Sequence, residues 1–238
     1  MSSAAANEPK EFPWSGRLPL ALGHRGAPRL APENRRASLT AALTTLDGIE
    51  TDLHRTKDGV LVVNHDPHLG HHATPETLIT QNDLAHLRRL EPELLTVQDL
   101  RQLLEEHPAA LANIELKSSA PDGDRRSADL AEELAGWPAE VAARVWLSCL
   151  DPLELLRLAD FGVKVPLAFL VFEARAQALL PSLPVAAVHP HHTLVTSEHV
   201  AAWHAAGLAV FTWTVNEEPL ALKLLEDGVD GLMGDVSE

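Results

Sequence analysis

Two acidic residues alternate along a short apolar segment of the sequence, Ile49-Glu50-Thr51-Asp52-Leu53. This alternation predicts a β-strand, and its period of two places Glu50 and Asp52 on one face, about 7 Å apart along the strand. Two carboxylates on a buried face repel each other and lose hydration, so they need a cation or cationic side chains beside them. A divalent metal ion is the partner that this arrangement favours.

A second polar pair ends another apolar segment, Asn113-Ile114-Glu115-Leu116-Lys117. Glu115 and Lys117 share the inward face of the strand that this segment predicts, at the strand end where ligands bind in parallel sheets. Glu115 can therefore join the first two carboxylates around one ion. Oxygen ligands without cysteine or a His-x₃-His helix favour Mg²⁺ or Ca²⁺ over Zn²⁺. The simpler interpretation is that Glu115 and Lys117 pair with each other.

Two histidines follow predicted strands directly. His24 lies in Gly23-His24-Arg25-Gly26, and His65 follows a short apolar run. Histidines that titrate near neutral pH can serve as general base and general acid, and a guanidinium such as that of Arg25 has the geometry to hold a phosphate oxygen. The pattern allows acid/base chemistry on a phosphate compound, although a lone histidine in such a place is more often structural.

The elements that must position these residues alternate between apolar strands and amphipathic helices, which is typical of βα units around a parallel sheet. Strands are predicted at 19–23, 48–53, 111–116, 145–150, 165–171, 185–188, 208–214 and 230–233. Helices are predicted at 36–45, 96–106, 125–134, 152–160, 197–206 and 217–226, with a weaker one at 173–179. Eight strands with intervening helices predict an α/β fold, a (β/α)₈ TIM barrel with its site at the carboxyl ends of the strands.

The domain organisation follows from the same pattern. A flexible tail is predicted for residues 1–14 and a single domain for residues 15–238. The run Leu61–Val63 after the Lys57-Asp58-Gly59 turn predicts a hairpin on the second strand. Residues 67–94 then form a small insertion after that strand.

Composition limits the partners. The chain has 238 residues, of which 45% are hydrophobic, and a formal net charge of −15. This charge repels nucleic acid and anionic lipid surfaces, so neither is expected as a partner. We see no signal peptide and no run of about 18 apolar residues, which predicts a cytoplasmic protein without integral membrane association. The single cysteine, Cys149, is expected inside a strand.

Together these motifs resemble the glycerophosphodiester phosphodiesterase family, over roughly residues 23–235. The resemblance rests on His24-Arg25-Gly26, Pro32-Glu33-Asn34, Glu50-x-Asp52, Thr56-Lys57-Asp58-Gly59, His65-Asp66, Ile114-Glu115-x-Lys117, Trp213-Thr214-Val215-Asn216 and Gly228-Val229-Asp230-Gly231, in this order.

By this resemblance His24 and His65 are the catalytic acid/base pair, and Glu50, Asp52 and Glu115 are the metal ligands. The cofactor is then one divalent cation, Mg²⁺ or Ca²⁺, with Mn²⁺ as a further possibility. The resemblance does not say which histidine is the acid.

Three more residues acquire substrate roles by the same resemblance. Arg25 and Lys117 are the implied phosphate contacts, and Trp213 packs on the glycerol or its substituent unless it is a core tryptophan. Glu33 and Asn34 brace the first loop.

The implied reaction is hydrolysis of a small glycerophosphodiester to glycerol 3-phosphate and an alcohol. Attack by the glycerol 2-hydroxyl through a cyclic phosphate is favoured over direct attack by water. A lysophospholipase D that uses the same residues is the close alternative, although the short polar insertion favours small substrates. A silent barrel that only binds phosphorylated ligands is the third interpretation. The oligomeric state is left open.

The chain departs from the family pattern at Arg35, at Ser148-Cys149 and at Gly234-Asp235. Arg35 either adds positive charge near the site or faces solvent, and we expect the latter.

A histidine cluster lies after the sixth predicted strand, at His189, His191 and His192. These residues bind the phosphate or the leaving group, or form a solvated polar loop, and the loop is the favoured interpretation.

Overall fold

The computed structural model of the chain describes residues 12–70, 73–118 and 125–235. Eight parallel strands form a closed barrel, in the order β1-β2-β4-β5-β6-β7-β8-β9 and back to β1. The barrel strands are β1 Leu20–His24, β2 Gly48–Arg55, β4 Leu111–Leu116, β5 Val145–Cys149, β6 Leu167–Val171, β7 Ala187–Pro190, β8 Ala209–Thr212 and β9 Gly231–Gly234. The predicted TIM barrel is confirmed.

Helices cover the outside of the barrel between successive strands. They are α1 Arg36–Leu43, α2 Leu84–Leu90, α3 Val97–Glu106, α4 Arg126–Ala135, α5 Ala139–Ala142, α6 Pro152–Asp160, α7 Ser197–Ala205 and α8 Glu218–Glu226. The weak helix predicted at 173–179 is a 3₁₀ helix, Ala174–Ser182. None of the helices in these residues is both long and apolar enough to cross a bilayer.

The predicted hairpin is present, because β3 Leu61–Val63 pairs antiparallel with the end of β2. The insertion that follows carries a 3₁₀ turn, Ile79–Gln81, and helix α2. Its apolar side chains, among them Ile79 and Leu87, form a small core together with Val62 of the hairpin. The insertion is thus packed against the barrel, and its residues 71 and 72 lie outside the described residues.

Strand β2 shows how the sequence pattern divides the barrel into two faces. Ile49 and Leu53 join the apolar layer between strands and helices. Glu50 and Asp52 alternate with them and are also buried, so they occupy the inner face of the barrel. The strand is therefore buried on both sides, as parallel barrel strands are.

The amino-terminal end of the barrel is filled by aromatic rings. Trp14 is only 4% exposed and packs edge-on against Trp146 and Phe211, with ring centroids 5.4 and 5.3 Å away. The predicted tail therefore ends too late at residue 14, because Phe12 and Trp14 already pack on the barrel. Residues 1–11 lie outside the described residues.

We expect Trp14→Ala to lower the free energy of unfolding by about 3–5 kcal/mol, since it removes a buried indole that the surrounding rings cannot replace. Denaturant titration measures the change. Phe161→Ala is the matched control, because Phe161 is 56% exposed and should lose little. Equal effects of the two substitutions would show that Trp14 does not support the barrel.

Candidate active site

The carboxylates that the sequence singled out meet at the carboxyl ends of neighbouring strands. The parallel register places His24 beside Glu50 and Asp52 beside Glu115. Glu50, Asp52 and Glu115 are 4%, 1% and 9% exposed. One oxygen from each lies within 4.8 Å of the others. The structure thus brings the three predicted metal ligands to one point inside the barrel.

Two cationic side chains contact this cluster. Lys117 Nζ lies 2.8 Å from Asp52 Oδ1 and 2.8 Å from Glu115 Oε1, so the Glu115–Lys117 pair exists but is shared with Asp52. Arg25 donates its backbone N–H to Glu50 Oε2 at 3.1 Å, and its Nε lies 3.7 Å from Asp52 Oδ2. Arg25 has a left-handed φ of 58°, which lets both its backbone and its guanidinium face the cluster.

Burial and mutual repulsion shape the titration of the cluster. Burial raises the pKa of Glu50 well above its usual range, and the charges of Asp52 and Glu115 raise it further. Burial likewise raises the pKa of Glu115 to about 7, against the charge of Lys117. Burial also raises the pKa of Asp52, but the charges of Lys117, His65 and Arg25 together outweigh this effect and hold the pKa below its usual range.

The balance of charge in the cluster tests whether these residues fit a metal ion. When all three carboxylates are ionised, three negative charges face the two positive charges of Arg25 and Lys117. The remaining negative charge is buried, which is costly unless a further cation compensates it. Oxygen donors alone make up the set, so the cluster fits a hard divalent cation.

His24 is held by a hydrogen-bonded pair at the last strand end. Its Nδ1 donates to Asp235 Oδ1 at 2.8 Å. Asn216 fixes that carboxylate, because its side-chain amide donates to Asp235 Oδ2 at 2.7 Å and its oxygen accepts from the Asp235 backbone N–H at 2.8 Å. With Nδ1 engaged, Nε2 of His24 is the nitrogen left for chemistry in the cavity.

His65 has a similar arrangement on the hairpin side. Its Nδ1 donates to Asp66 Oδ1 at 2.8 Å, and burial together with the charge of Lys117 lowers its pKa. His54 supports it from β2, since His54 Nε2 donates to the His65 carbonyl oxygen at 2.9 Å. The sequence interpretation missed His54, although its period-two spacing from Glu50 and Asp52 places it on the same inner face.

The loop after β1 is braced by Asn34 and by Arg35. The Asn34 amide donates to Asp52 Oδ2 at 2.8 Å. Arg35 is 7% exposed, and its guanidinium donates to the carbonyls of Asn34 and Val63 and to Asn64 Oδ1. The expectation that Arg35 faces solvent is therefore wrong. Its side chain turns inward because these three oxygens satisfy its donors.

His24, His65 and the charged residues around them line a cavity of about 290 Å³. Trp213 forms part of its wall and donates its indole N–H to the His189 carbonyl at 2.9 Å. Phe172 stacks beside Trp213 with ring centroids 6.1 Å apart, and it is 59% exposed at the mouth. Leu150, 48% exposed, lies at the same mouth.

The histidine cluster is divided between the rim and the interior. His191 and His192 are half-buried at the rim, where His191 lies edge-on to Trp213. His189 is part of β7 and is fully buried. The favoured interpretation, a solvated loop, is wrong for His189, because the strand extends two residues further than predicted and carries it into the barrel.

Known protein families include one that matches nearly the whole chain. The model of the "Glycerophosphoryl diester phosphodiesterase family" matches residues 24–238. The chain belongs to this family. The predicted family and enzyme class are thereby confirmed.

Relatives within the family match along most of their length. A glycerophosphodiester phosphodiesterase of Bacillus altitudinis is 29% identical, with 90% of this chain and 93% of the relative covered. A solved phosphodiesterase of Oleispira antarctica, in complex with the product sn-glycerol-3-phosphate, is 26% identical with a TM-score of 0.82 and covers 94% of this chain and 96% of its own. A structure from Galdieria sulphuraria, 22% identical with a TM-score of 0.82, covers 92% and 95% and shares the fold.

The raised pKa of Glu115 makes a prediction about stability in excess chelator. A pKa raised in the folded state gives stability that is present below the unfolded-state pKa and is lost as pH rises through about 7. Relative to Glu115→Gln, the wild type should therefore lose at most about 1.4 kcal/mol per pH unit between those two pKa values. Urea unfolding across this range measures the difference.

Glu198→Gln is the control for this measurement, because Glu198 is exposed in the first turn of α7. Its stability should follow that of the wild type at every pH. A constant difference between the wild type and Glu115→Gln would contradict the proposed burial of an ionisable carboxylate.

Proposed function

We propose that the protein hydrolyses glycerophosphodiesters to glycerol 3-phosphate and an alcohol, with a divalent cation and two histidines. The observation that carries this proposal is the convergence of three buried carboxylates between two histidines, each of which is oriented by an aspartate. The relative from Oleispira antarctica, solved with sn-glycerol-3-phosphate, supports the choice of product.

Glu50, Asp52 and Glu115 would hold the cation, with Mg²⁺ or Ca²⁺ preferred and Mn²⁺ accepted. When bound, the ion supplies Lewis-acid stabilisation of charge on a phosphoryl oxygen and on the vicinal glycerol hydroxyl. The side-chain amide of Asn34 donates to Oδ2 of Asp52, whereas Lys117 contacts Oδ1, so Asn34 helps to orient this carboxylate. Such a support keeps a ligand carboxylate in a fixed direction.

His65 acts as the general base and His24 as the general acid. The lowered pKa of His65 keeps its imidazole neutral, so it can accept the proton of the glycerol 2-hydroxyl as that oxygen attacks phosphorus. The attack breaks the bond to the leaving alcohol and gives a cyclic phosphate, which water then opens. His24 protonates the departing oxygen. Its partner carboxylate, Asp235, is less exposed than Asp66, at 29% against 61%, and is also held by Asn216, so it fixes the ring more firmly.

The phosphate oxygens are held by Arg25 and Lys117, whose side chains are 20% and 15% exposed. Glu33 keeps the Arg25 guanidinium in place with contacts of 3.0 and 3.2 Å. Trp213 packs against the organic part of the substrate in the cavity wall.

A lysophospholipase D reaction at the same residues is the second candidate. The observation in its favour is the exposure of Leu150 and Phe172 at the mouth, where an acyl chain could lie. None of the described residues that line the cavity comes from the insertion at 67–94, so the insertion adds no apolar wall for such a chain.

A screen of substrates and ions tests the reaction. Glycerol 3-phosphate release is measured from glycerophosphocholine, glycerophosphoethanolamine, glycerophosphoglycerol and a lysophospholipid, each with Mg²⁺, Ca²⁺ or Mn²⁺. We expect turnover of at least one small diester, its loss in excess chelator and its recovery with added ion. Asp52→Ala should weaken ion affinity while circular dichroism stays unchanged. Full activity in chelator would refute the metal proposal.

The histidine roles are separated by the leaving group. On glycerophosphocholine, His24→Ala and His65→Ala should each lower kcat by about 10²–10⁴-fold, and the double variant should be little worse than the poorer single one. A glycerophosphodiester of p-nitrophenol needs less protonation of its leaving oxygen. It should therefore restore His24→Ala and leave His65→Ala slow. Restoration of His65→Ala alone would reverse the assignment.

A further inference from the structure

Arg126 is a buried cation on the outside of the barrel. It is the first residue of helix α4 and is only 3% exposed. Arginine is almost never buried to this extent unless it is paired. Its place in the helix is also unfavourable, because the amino-terminal end of a helix carries partial positive charge. Such a position calls for a contact that compensates both costs.

The guanidinium of Arg126 contacts the backbone of the active-site lysine. Its Nη1 donates to the carbonyl oxygen of Lys117 at 2.6 Å, and a hydrogen bond from a charged donor is stronger than one between neutral groups. Lys117 follows Leu116, the last residue of β4, and its backbone N–H still donates to the Leu53 carbonyl of β2 at 3.0 Å. The lysine backbone is thus held by one bond to a strand and one from a side chain.

The helix end that carries Arg126 is itself fixed. The hydroxyl of Ser127, the next residue, donates to Oε2 of Glu154 on α6. Ser127 and Glu154 are 2% and 4% exposed, so this bond is shielded from water. It ties the first turn of α4 to a neighbouring helix. Arg126 therefore acts on Lys117 from a firm support.

The ammonium of Lys117 depends on such support. It lies 2.8 Å from one oxygen of Asp52 and 2.8 Å from one oxygen of Glu115. A lysine side chain is a flexible stem of four carbons, so the position of its backbone decides what its ammonium can reach. A displacement of about 1 Å at a reaction centre can lower the rate about 10²-fold. An anchor on the Lys117 backbone therefore bears on the chemistry of the cavity.

We propose that Arg126 is a positioning residue, which fixes the phosphate-binding ammonium of Lys117 through the carbonyl oxygen of that lysine. This inference rests on the proposed function, which assigns a phosphate contact to Lys117. Arg126 itself does not touch the substrate. Removal of its guanidinium should therefore weaken phosphate binding only while the ammonium of Lys117 is present.

The test is a double-mutant cycle of Arg126→Met and Lys117→Met. Methionine keeps much of the aliphatic length of both side chains and removes their donors. We expect Arg126→Met alone to raise the calorimetric Kd of sn-glycerol 3-phosphate, and to lower kcat/KM on glycerophosphocholine, by about 10-fold, which is within the coupling that contacting residues show. In the Lys117→Met background the same substitution should change either quantity by less than about 2-fold.

Two further variants control for charge and stability. Arg125→Met removes the neighbouring arginine, whose side chain is 62% exposed, and should change neither quantity in either background. Arg126→Lys keeps a charged donor and should recover part of the loss. A general loss of stability affects both backgrounds alike and cancels in the cycle. An equal loss with and without the Lys117 ammonium, or equal values for Arg126→Lys and Arg126→Met, would overturn the inference.

Hydrogen exchange at the Lys117 amide tests the anchor without substrate. Arg126→Met should speed this exchange by about 10-fold, the effect of one hydrogen bond from a charged group, whereas Arg125→Met should not. Neither this rate nor the Kd cycle requires turnover. If both give the expected results in a protein that cleaves no diester, the proposed reaction is wrong and the inference stands. Turnover with an unchanged exchange rate in Arg126→Met overturns the inference and leaves the proposed function standing.

Discussion

The constraint on which the site depends is excess negative charge inside a closed barrel. Three carboxylates are buried with two cationic side chains, and burial of unequal charge is costly. The hydrogen bonds and ion pairs around the carboxylates reduce this cost and fix the orientation of the carboxylates. Asn34 donates to Asp52, Arg25 donates its backbone N–H to Glu50, and Lys117 bridges two carboxylates. A divalent cation at this cluster would compensate the same imbalance.

The parallel register turns separate sequence motifs into one site. Residues that pair across β1, β2 and β4 lie at the same height, so motifs far apart in the chain end side by side. His24 at the end of β1 and His65 after β3 complete the site. Each histidine is fixed through Nδ1 by an aspartate, which directs Nε2 of both rings to the cavity. The strands therefore hold the three carboxylates and His24, and the turn after β3 adds His65.

The sequence predicted the parts of the molecule that follow a period. Alternation located the strands and placed Glu50, Asp52 and Glu115 on one inner face, as the structure has them. The burial of residues outside such a periodic pattern was predicted wrongly. Arg35 and His189 look exposed because both are polar and adjoin loops, but oxygens and rings distant in the chain bury them. Only tertiary contacts carry that information.

Trp14 joins the beginning of the chain to strands that are made much later. Its ring partners, Trp146 and Phe211, lie on β5 and β8. During synthesis from the amino terminus, the indole is present long before the surfaces that bury it. Contacts between such distant residues are closed late and at a high entropic cost. The base of the barrel can therefore be sealed only after β5 and β8 are made, and until then this apolar segment lacks the surfaces that bury it.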